Sequence, residues 1–240
     1  MIIMKHWRYC LLLILVTAGI FACNKDSDES IPVTSSNINV FQAVPGKLFD
    51  VLIDTMTMTT DLAYGESSGY HAFEAKRYNL LVHLAGKPDS PYIGGQISLR
   101  NGHYYSVFLS LDNENNPQAL LVEDALGGTR AGFGRMRYIN LSDSYINRAS
   151  RLTIDIKTFT TSDTRQDTAR YFRRLSYLAA TDFVDVPIGP HSLVVTYPDS
   201  TLSLNGNGQA FQVDERKEYT FIGYGNALKA DSFKIATFIH

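Results

Sequence analysis

The sequence predicts an all-β protein with two tandem immunoglobulin-like antiparallel β-sandwich domains. Three observations lead to this prediction. Short runs rich in Val, Ile, Tyr, Phe and Thr alternate with polar residues, which is typical of half-buried strands. Clusters of Asn, Asp and Gly, such as "DNENN" (112–116) and "NGNG" (205–208), lie between these runs, where turns are expected. The apolar pattern of residues 62–83 recurs without a gap in residues 175–196, which indicates a duplicated unit.

Residues 1–22 are interpreted as a lipoprotein signal peptide and are excluded from the fold. Lys5 and Arg8 precede the apolar run "CLLLILVTAGI" (10–20), which is too short for a membrane-spanning helix. The run ends in Ile20-Phe21-Ala22-Cys23, which resembles the bacterial lipobox, with Phe21 as an unusual residue. The resemblance implies cleavage before Cys23 and lipidation of that residue, so that the lipid would make the membrane a partner. An ordinary secretory signal with an incidental cysteine is the alternative.

Residues 23–35 are predicted to be the lipidated cysteine and an acidic tether. The stretch "NKDSDES" (24–30) is polar, has no periodicity and cannot contribute to a core. It resembles the acidic signal that sends some Bacteroidetes-type lipoproteins to the outside of the outer membrane. We therefore expect an outer-membrane lipoprotein exposed at the cell surface, with a periplasm-facing protein as the alternative.

Cysteine usage and charge limit the chemistry of the mature chain. Cys10 leaves with the predicted signal and Cys23 carries lipid, so the body has no disulfide and no cysteine metal ligand. Removing Lys5 and Arg8 from the 22 basic residues leaves 20 against 24 acidic ones, a net charge of −4. A mildly acidic chain without a basic run argues against nucleic acid as a partner. No motif indicates a cofactor.

Two β-sandwich repeats are predicted in the mature chain, at residues 36–126 and 135–240. Their apolar and aromatic positions coincide, although few residues are identical. A Gly-rich linker at residues 127–134 joins them and predicts a short flexible connection. The second repeat alone carries an insertion, at residues 158–174.

The recurring positions resemble a known family. The first copy has Phe49-Asp50-Val51-Leu52-Ile53-Asp54, Leu62-Ala63-Tyr64, Ser68-Gly69-Tyr70, and Gly102 ahead of Tyr105-Ser106-Val107. The second copy has Leu175-Ser176-Tyr177, Val186-Pro187-Ile188-Gly189 and Tyr219-Thr220-Phe221. Over nearly the whole mature chain this pattern resembles domain of unknown function 4397 (DUF4397). The resemblance implies tandem β-sandwich repeats in a bacterial envelope protein, and it implies no reaction and no catalytic residues. The chain departs from the pattern at Glu74-Ala75-Lys76-Arg77, where Pro and Gly are usual.

The motif Gly65-Glu66-Ser67-Ser68-Gly69 has the Gly-x-Ser-x-Gly spacing that marks the nucleophile of many hydrolases. That nucleophile needs a helix after the serine, whereas another strand pattern follows here. The equivalent stretch of the second copy, residues 178–182, has no such motif, while its flanking aromatic residues recur. We therefore predict a turn with a packing role and no catalytic residue. A serine- or carboxylate-dependent surface hydrolase is the alternative.

The insertion is the best candidate for ligand binding, because it interrupts the repeat at a loop. Ser162 or Asp163 is expected to cap a short helix over residues 164–174. That helix would carry aromatic and cationic side chains of the kinds enriched at recognition sites. These are Arg170, Tyr171, Phe172, Arg173 and Arg174. The alternative is that the two aromatic residues pack on their own domain while the arginines stay solvated.

Metal binding has one weak sequence signal. The histidines of the mature chain do not pair at i, i+4, and no His-Glu-x-x-His occurs. Asp112, Asn113 and Glu114 carry the oxygen ligands that calcium favours. Because Asn and Asp also favour hairpin turns, a turn is the preferred interpretation. We expect no metal site and keep calcium at these residues as the alternative.

These observations predict a non-catalytic, lipid-anchored cell-envelope protein at the bacterial outer surface. It would act as a binding or assembly module for a glycan or protein ligand. Loops of sandwiches carry binding residues, open sheet edges can pair with a partner strand, and the chain has 14 Tyr for stacking on sugars.

Overall fold

The computed structural model describes residues 34–147, 149–162, 165–229 and 232–240. These described residues form strands, turns and loops without a helix, which confirms the all-β prediction. Ser35–His240 clusters as one unit. Among the residues described, no helix has the length and apolar character needed to cross a bilayer. The predicted signal peptide and most of the tether, including Cys23, lie outside the described residues.

Eight strands form the first sandwich. They are β1 (Ser35–Gln42), β2 (Phe49–Ile53), β3 (Met56–Leu62), β4 (His71–Glu74), β5 (Arg77–Leu84), β6 (Ile93–Ser98), β7 (Tyr104–Leu111) and β8 (Pro117–Asp124). One sheet has the order β4-β1-β7-β8, and the other has the order β3-β2-β5-β6. The β1–β7 pair is parallel and all other pairs are antiparallel.

Eleven further strands follow among the described residues. They are β9 (Phe133–Asn140), β10 (Tyr145–Asn147), β11 (Ser150–Arg151), β12 (Ile154–Ser162), β13 (Arg165–Leu175), β14 (Ala179–Ala180), β15 (Val184–Pro187), β16 (Gly189–Thr196), β17 (Gln209–Val213), β18 (Glu218–Tyr224) and β19 (Lys234–Ile239). The second sandwich has one sheet of order β13-β12-β16-β17 and one of order β14-β9-β18-β19, with β15 also pairing with β9. Strands β10 and β11 form a separate hairpin.

The two sandwiches have the same pairing order. Strand β9 is parallel to β18 just as β1 is parallel to β7, and β12 lies between β13 and β16 just as β2 lies between β3 and β5. The second sandwich differs by the β10–β11 hairpin and by two short strands, β14 and β15, where the first has β4 alone. Each sandwich thus contains one parallel pair, a detail that the prediction of antiparallel sandwiches did not include. Homology of the two halves and the bounds 36–126 and 135–240 stay predictions.

Three hydrophobic cores lie between four stacked sheets. The first core is inside the first sandwich and the second core is inside the second sandwich. A third cluster, here the central core, joins the β4-β1-β7-β8 sheet to the β14-β9-β18-β19 sheet. Its buried members are Phe41, Ala43, Phe108, Ile139, Leu141, Ile222 and Tyr224. Because side chains alternate along a strand, β7 places Val107 in the first core and Phe108 in the central core. The inner strands of the two central sheets, such as β7 and β18, are therefore buried on both faces.

The connection between β8 and β9 makes specific hydrogen bonds. The backbone N–H of Gly127 lies 3.1 Å from Glu218 Oε2, and the N–H of Gly132 lies 3.0 Å from Glu215 Oε1. Both carboxylates belong to the second sandwich. Strand β9 begins at Phe133, inside the range expected for the linker.

The prediction of a helix over residues 164–174 is wrong. Strand β13 (Arg165–Leu175) occupies this segment and pairs with β12 along its length. Together β12 and β13 have 9 and 11 residues, against 5 and 7 for β2 and β3, so the insertion mainly lengthens a hairpin. Strand pairing overrides local helix propensity here. As a helix, this segment would leave the edge of β12 without a hydrogen-bonding partner, and the aromatic residues of β13 would lose their packing.

Candidate functional site

The Gly-x-Ser-x-Gly motif lies between β3 and β4, in a turn that runs beside β1. The backbone N–H of Gly65 donates to the carbonyl oxygen of Gln42 at 2.7 Å. Gly65 and Gly69 have φ angles of 84° and 71°, a region that favours glycine. A Cβ on Gly65 would also lie 2.6 Å from the hydroxyl oxygen of Tyr224. Both glycines are thus explained by backbone conformation and packing.

The Ser67 hydroxyl is held by β1 and by its own turn. Its Oγ donates to Asn39 Oδ1 at 2.6 Å and accepts from the backbone N–H of Gly69 at 3.3 Å. A nucleophilic serine gives its proton to a neighbouring base, and a carboxamide oxygen is not such a base. Strand β4 follows the turn, where a nucleophile elbow would have a helix. Ser67 therefore has the environment of a structural turn residue.

A buried polar cluster lies between the two central sheets. We call it the central polar cluster. It is built from side chains of both sandwiches, and its members are Tyr70, Ser106, Asp124, Arg137, Thr220 and His240. They come from the residue before β4, from β7, β8, β9 and β18, and from the residue after β19.

An ion pair forms the centre of this cluster. Arg137 Nη2 donates to Asp124 Oδ1, and the two side chains are 2% and 0% exposed. Asp124 Oδ2 also accepts from the hydroxyls of Tyr70 at 2.6 Å and Ser106 at 2.8 Å. Burying a charge is unfavourable unless it is paired and hydrogen-bonded. Here the carboxylate has three donors, and the pair joins the last residue of β8 to the middle of β9.

His240 links the two sandwiches a second time. Its Nε2 lies 2.8 Å from Thr220 Oγ1 and its Nδ1 lies 3.0 Å from the Tyr70 oxygen. Because Tyr70 donates to Asp124, its oxygen accepts from Nδ1–H, and Nε2 accepts from the Thr220 hydroxyl. Burial lowers the pKa of His240 to about 4, so its ring is neutral at pH 7. Burial and the charge of Asp124 raise the pKa of Tyr70, which stays protonated.

Further contacts support the cluster, one within the second sandwich and one between the two sandwiches. The Phe183 ring lies 4.7 Å from the guanidinium carbon of Arg137, a cation–π distance. Away from the cluster, at the β8 hairpin end of β7, the Ser110 and Tyr177 hydroxyls lie 2.7 Å apart. Polar contacts therefore reinforce the central core at two separate places.

A small cavity adjoins the cluster. Its volume is about 80 Å³, and its lining includes Asn39, Ser67 and His240 together with Phe41 and Phe108. An engineered protein cavity of about 150 Å³ binds benzene. This cavity is smaller than that, so a sugar ring does not fit. Glycan capture would need the outer surface.

The aromatic and cationic residues expected to bind a ligand do not form one patch. Phe172 is buried in the second core, and Tyr171 is half-buried against it. Arg173 and Arg174 are exposed and contact Asp199, with N–O distances of 2.8 and 3.0 Å. Register shifts in the β12–β13 pair let consecutive aromatic residues reach the same core. The side chain of Arg170 lies outside the described residues.

Asp112, Asn113 and Glu114 form the β7–β8 hairpin turn. Asp112 Oδ1 accepts from the backbone N–H of Glu114 at 2.9 Å and of Asn116 at 2.8 Å. Hydrogen bonds from Asn116 lower the pKa of Asp112. The backbone N–H of Asn113 donates to Asp143 Oδ2 at 2.8 Å. In the described part of the chain, no three or more His, Cys, Asp or Glu residues are grouped as metal ligands.

Sequence reasoning missed the central polar cluster. Arg137 lies between Met136 and Tyr138 in β9, and Asp124 ends a strand whose other members are mostly apolar. A charge inside such a strand is a signal for a buried ion pair. The sequence offered no way to match the two residues, because their proximity depends on how the two central sheets pack.

Residues 36–146 match the family model described as "Domain of unknown function (DUF4397)". This segment forms a DUF4397-like domain. The match covers β1–β8 and extends through β9 into β10. The resemblance to DUF4397 is thereby confirmed for this segment, while its tandem repetition and the lipid anchor stay predictions.

Solved structures give low similarity to the chain. The Bacillus anthracis TIE protein has 11% identity and a TM-score of 0.25, covering 80% of this chain and 34% of that one. A leucine-rich repeat protein from Bacteroides thetaiotaomicron VPI-5482 has 12% identity and a TM-score of 0.24, covering 78% of this chain and 25% of that one. The chain thus spans about a third or less of these proteins, and the scores are too low to carry a fold assignment. No curated protein matches.

Proposed function

We propose that the protein is a non-catalytic, lipid-anchored cell-envelope protein that binds a glycan or protein ligand at the bacterial outer surface. One observation carries the proposal. The groups most suited to catalysis are held by structural hydrogen bonds: Ser67 by Asn39 of β1, and Asp124 and His240 by the Tyr70 hydroxyl. Asp124 and His240 serve the contact between the sandwiches, which leaves the outer sheets and loops for recognition.

The central contact supports a binding role because apolar and polar contacts join the two sandwiches across it. Its apolar part is the central core and its polar part contains the Asp124–Arg137 pair. Such a contact restricts the relative motion of the sandwiches. Binding of a ligand that touches both then costs less conformational entropy, which raises affinity.

One outer cleft has the dimensions of a ligand site. It lies between the β16–β17 and β18–β19 connections and has a volume of about 520 Å³. Tyr197, Leu202 and Phe233 contribute apolar surface and Asn205 contributes an amide. Ligand sites are typically about 300–1,000 Å³ and combine apolar walls with a few polar groups. We call it the loop cleft, and Leu202 at its rim is 62% exposed. Stacking of a sugar on Tyr197 is the glycan form of this proposal.

Ligand binding is tested with the full-length protein on arrays of bacterial and host polysaccharides and of surface polypeptides. A ligand found there should bind the double variant Tyr197→Ala/Leu202→Ser at least about tenfold more weakly. Ile146→Ser is the matched control, because Ile146 is 59% exposed but does not line the cleft. Absence of any ligand at about 1 mM would refute the binding role.

Localisation is tested separately in intact cells. Protease treatment should release the body of the wild-type protein. Survival of the protein until the outer membrane is permeabilised would instead place it on the periplasmic side.

The rival function is a surface hydrolase that uses Ser67 or a carboxylate. We expect no labelling of the purified protein by a fluorophosphonate probe, because Asn39 holds the hydroxyl proton. Labelling that disappears in Ser67→Ala would overturn the proposal.

A further inference from the structure

The two sandwiches differ at one open flank, where an edge strand of one sheet faces an edge strand of the other. In the first sandwich these strands are β6 and β8. A groove of about 330 Å³ lies between them, and Leu80, Ile97, Val107 and Leu121 are among its lining residues. We call it the flank groove. Ile97 and Val107 belong to the first core, so the groove opens directly onto that core.

The corresponding flank of the second sandwich, between β17 and β19, is closed. Gln209 Nε2 donates to Thr237 Oγ1 at 2.9 Å and so bridges the two edge strands. Beside this bridge, the rings of Phe211 and Phe221 pack edge to face with centroids 4.8 Å apart.

Strand register identifies the matching residues of the first sandwich. Gln209 pairs with Leu193 on β16, and the residue paired with Leu80 on β5 is Gly95. Thr237 pairs with Phe221 on β18, and the residue paired with Val107 on β7 is Leu121. Leu80 and Leu193 occupy the same position in the aligned repeats, as do Val107 and Phe221. A glycine and an apolar side chain thus replace the bridging pair in the first sandwich.

The edge of β6 has none of the usual protection against strand pairing. Natural edges carry charged side chains, proline or bulges, whereas β6 reads "IGGQIS". A Cβ on Gly95 would meet nothing within 4 Å, so open space lies beside this strand. Across the groove Leu121 is 41% exposed.

We propose that the flank groove binds an extended strand of another polypeptide, which adds to the sheet at the free edge of β6. This proposal rests on the proposed binding function and names the ligand class at a second surface. The unpaired backbone of β6 would supply hydrogen bonds, and every second side chain of the partner would enter the groove. The residues that line the groove are uncharged among those described, which selects apolar or small neutral side chains and disfavours charged ones.

The chemistry of β6 argues against a second copy of this chain as the occupant. Antiparallel pairing of β6 with itself would place the Gly94-Gly95 segment of one copy opposite that of the other. Glycine has no side chain to fill the space beside Leu121, so the groove would stay open. A polysaccharide is equally disfavoured, because an edge strand is complementary to another peptide backbone.

The test uses the full-length protein and a fluorescein-labelled peptide, Lys-Thr-Val-Thr-Val-Thr-Val-Thr-Lys, with fluorescence anisotropy as the measurement. The control peptide has proline in place of the central valine, which removes a backbone donor and disrupts an extended pairing strand. The closing variant is Gly95→Gln/Leu121→Thr, which copies the second sandwich. Ile146→Thr is the matched control, because Ile146 is exposed but lines neither the groove nor the loop cleft.

We expect saturable binding of the valine peptide to the wild-type protein and to Ile146→Thr. Binding by the closing variant and binding of the proline peptide should each be at least about tenfold weaker. If circular dichroism shows that the closing variant is unfolded, Leu121→Lys takes its place. Position 121 is exposed, so the fold tolerates a charge there, whereas a charge beside the apolar groove should weaken peptide binding.

Three results of the peptide assay would overturn the proposal. They are no binding at about 1 mM peptide, equal binding by the variant that closes or charges the groove, and equal binding of the proline peptide. Self-association of the wild-type protein that the closing variant abolishes would assign the groove to a second copy of this chain. That result would also overturn the proposal. Loss of peptide binding alone, with a ligand still bound in the loop cleft, would leave the proposed function standing.

Discussion

Replacing Asp124 by alanine should destabilise the protein strongly, because it leaves Arg137 buried without its counter-ion. The Arg137 side chain is 2% exposed, and Asp124 accepts hydrogen bonds from two hydroxyls besides. Breaking a buried ion pair from one side costs about 3–5 kcal/mol, and the two hydroxyls that lose their acceptor add to this loss. We therefore expect Asp124→Ala to lower the free energy of unfolding by about 4 kcal/mol or more.

Urea denaturation followed by far-UV circular dichroism measures this change. Tryptophan fluorescence is unsuitable, because the one tryptophan, Trp7, lies in the predicted signal peptide. Glu123→Ala is the matched control. This neighbouring residue pairs with Arg100 at the surface, with side-chain exposures of 35% and 63%, so its loss should have little effect. The double variant Asp124→Leu/Arg137→Met should lose less than Asp124→Ala, since no unpaired charge remains. Equal effects of Asp124→Ala and Glu123→Ala would refute the reasoning.

Three further predictions concern particular residues. The pKa of His240 falls from 6.5 to about 4 on folding, so the unfolded state binds more protons between these pH values. The free energy of unfolding should therefore fall by about 3 kcal/mol as the pH is lowered from 6.5 to 4. His240→Gln should remove that share of the pH dependence of urea unfolding. Gly65→Ala should lower the melting temperature more than Gly46→Ala, because both have positive φ but only at Gly65 would the Cβ contact a tyrosine oxygen, at 2.6 Å. Phe172→Ala should cost about 3–5 kcal/mol in urea unfolding, whereas Arg173→Ala should cost little, because only the aromatic ring is buried.

Each of these predictions has a contrary result. An unchanged pH profile in His240→Gln would show that the imidazole is not buried in its neutral form. Equal melting temperatures for the two alanine variants would contradict the packing of the turn on the central core. Greater destabilisation by Arg173→Ala than by Phe172→Ala would mean that the outward face of β13 carries the stability.

Much of the strand pattern follows from local sequence. The run "YNLLVHL" (78–84) lies within β5 (Arg77–Leu84), and "YYSVFLS" (104–110) lies within β7 (Tyr104–Leu111). These runs are predictable because alternation of apolar and polar side chains reflects a strand with one buried face. Residues such as Phe108 break the alternation and belong to strands buried on both faces. Local sequence shows that such a second buried face exists, but it does not show which sheet covers it.

The candidate site was less predictable than the strands. The Gly-x-Ser-x-Gly turn was correctly expected to precede another strand, which is β4. The prediction of a helix in the insertion was wrong. Gln, Ala and Arg favour helices in isolation, but pairing with β12 decides the conformation here. The Asp124–Arg137 pair joins residues of different sandwiches. No pattern within either repeat indicates a contact that forms only when two sheets meet.

The parallel pairing of β1 with β7 has a mechanical consequence. Asn37 to Gln42 of β1 lie in register with Tyr104 to Leu109 of β7. A force that pulls Ser35 along the strand axis would stretch all of these hydrogen bonds at once rather than one after another. Shearing a set of bonds together needs a larger force than unzipping the same bonds in sequence. The first strand of the body is therefore joined to the sheet in the geometry that best resists extraction by pulling.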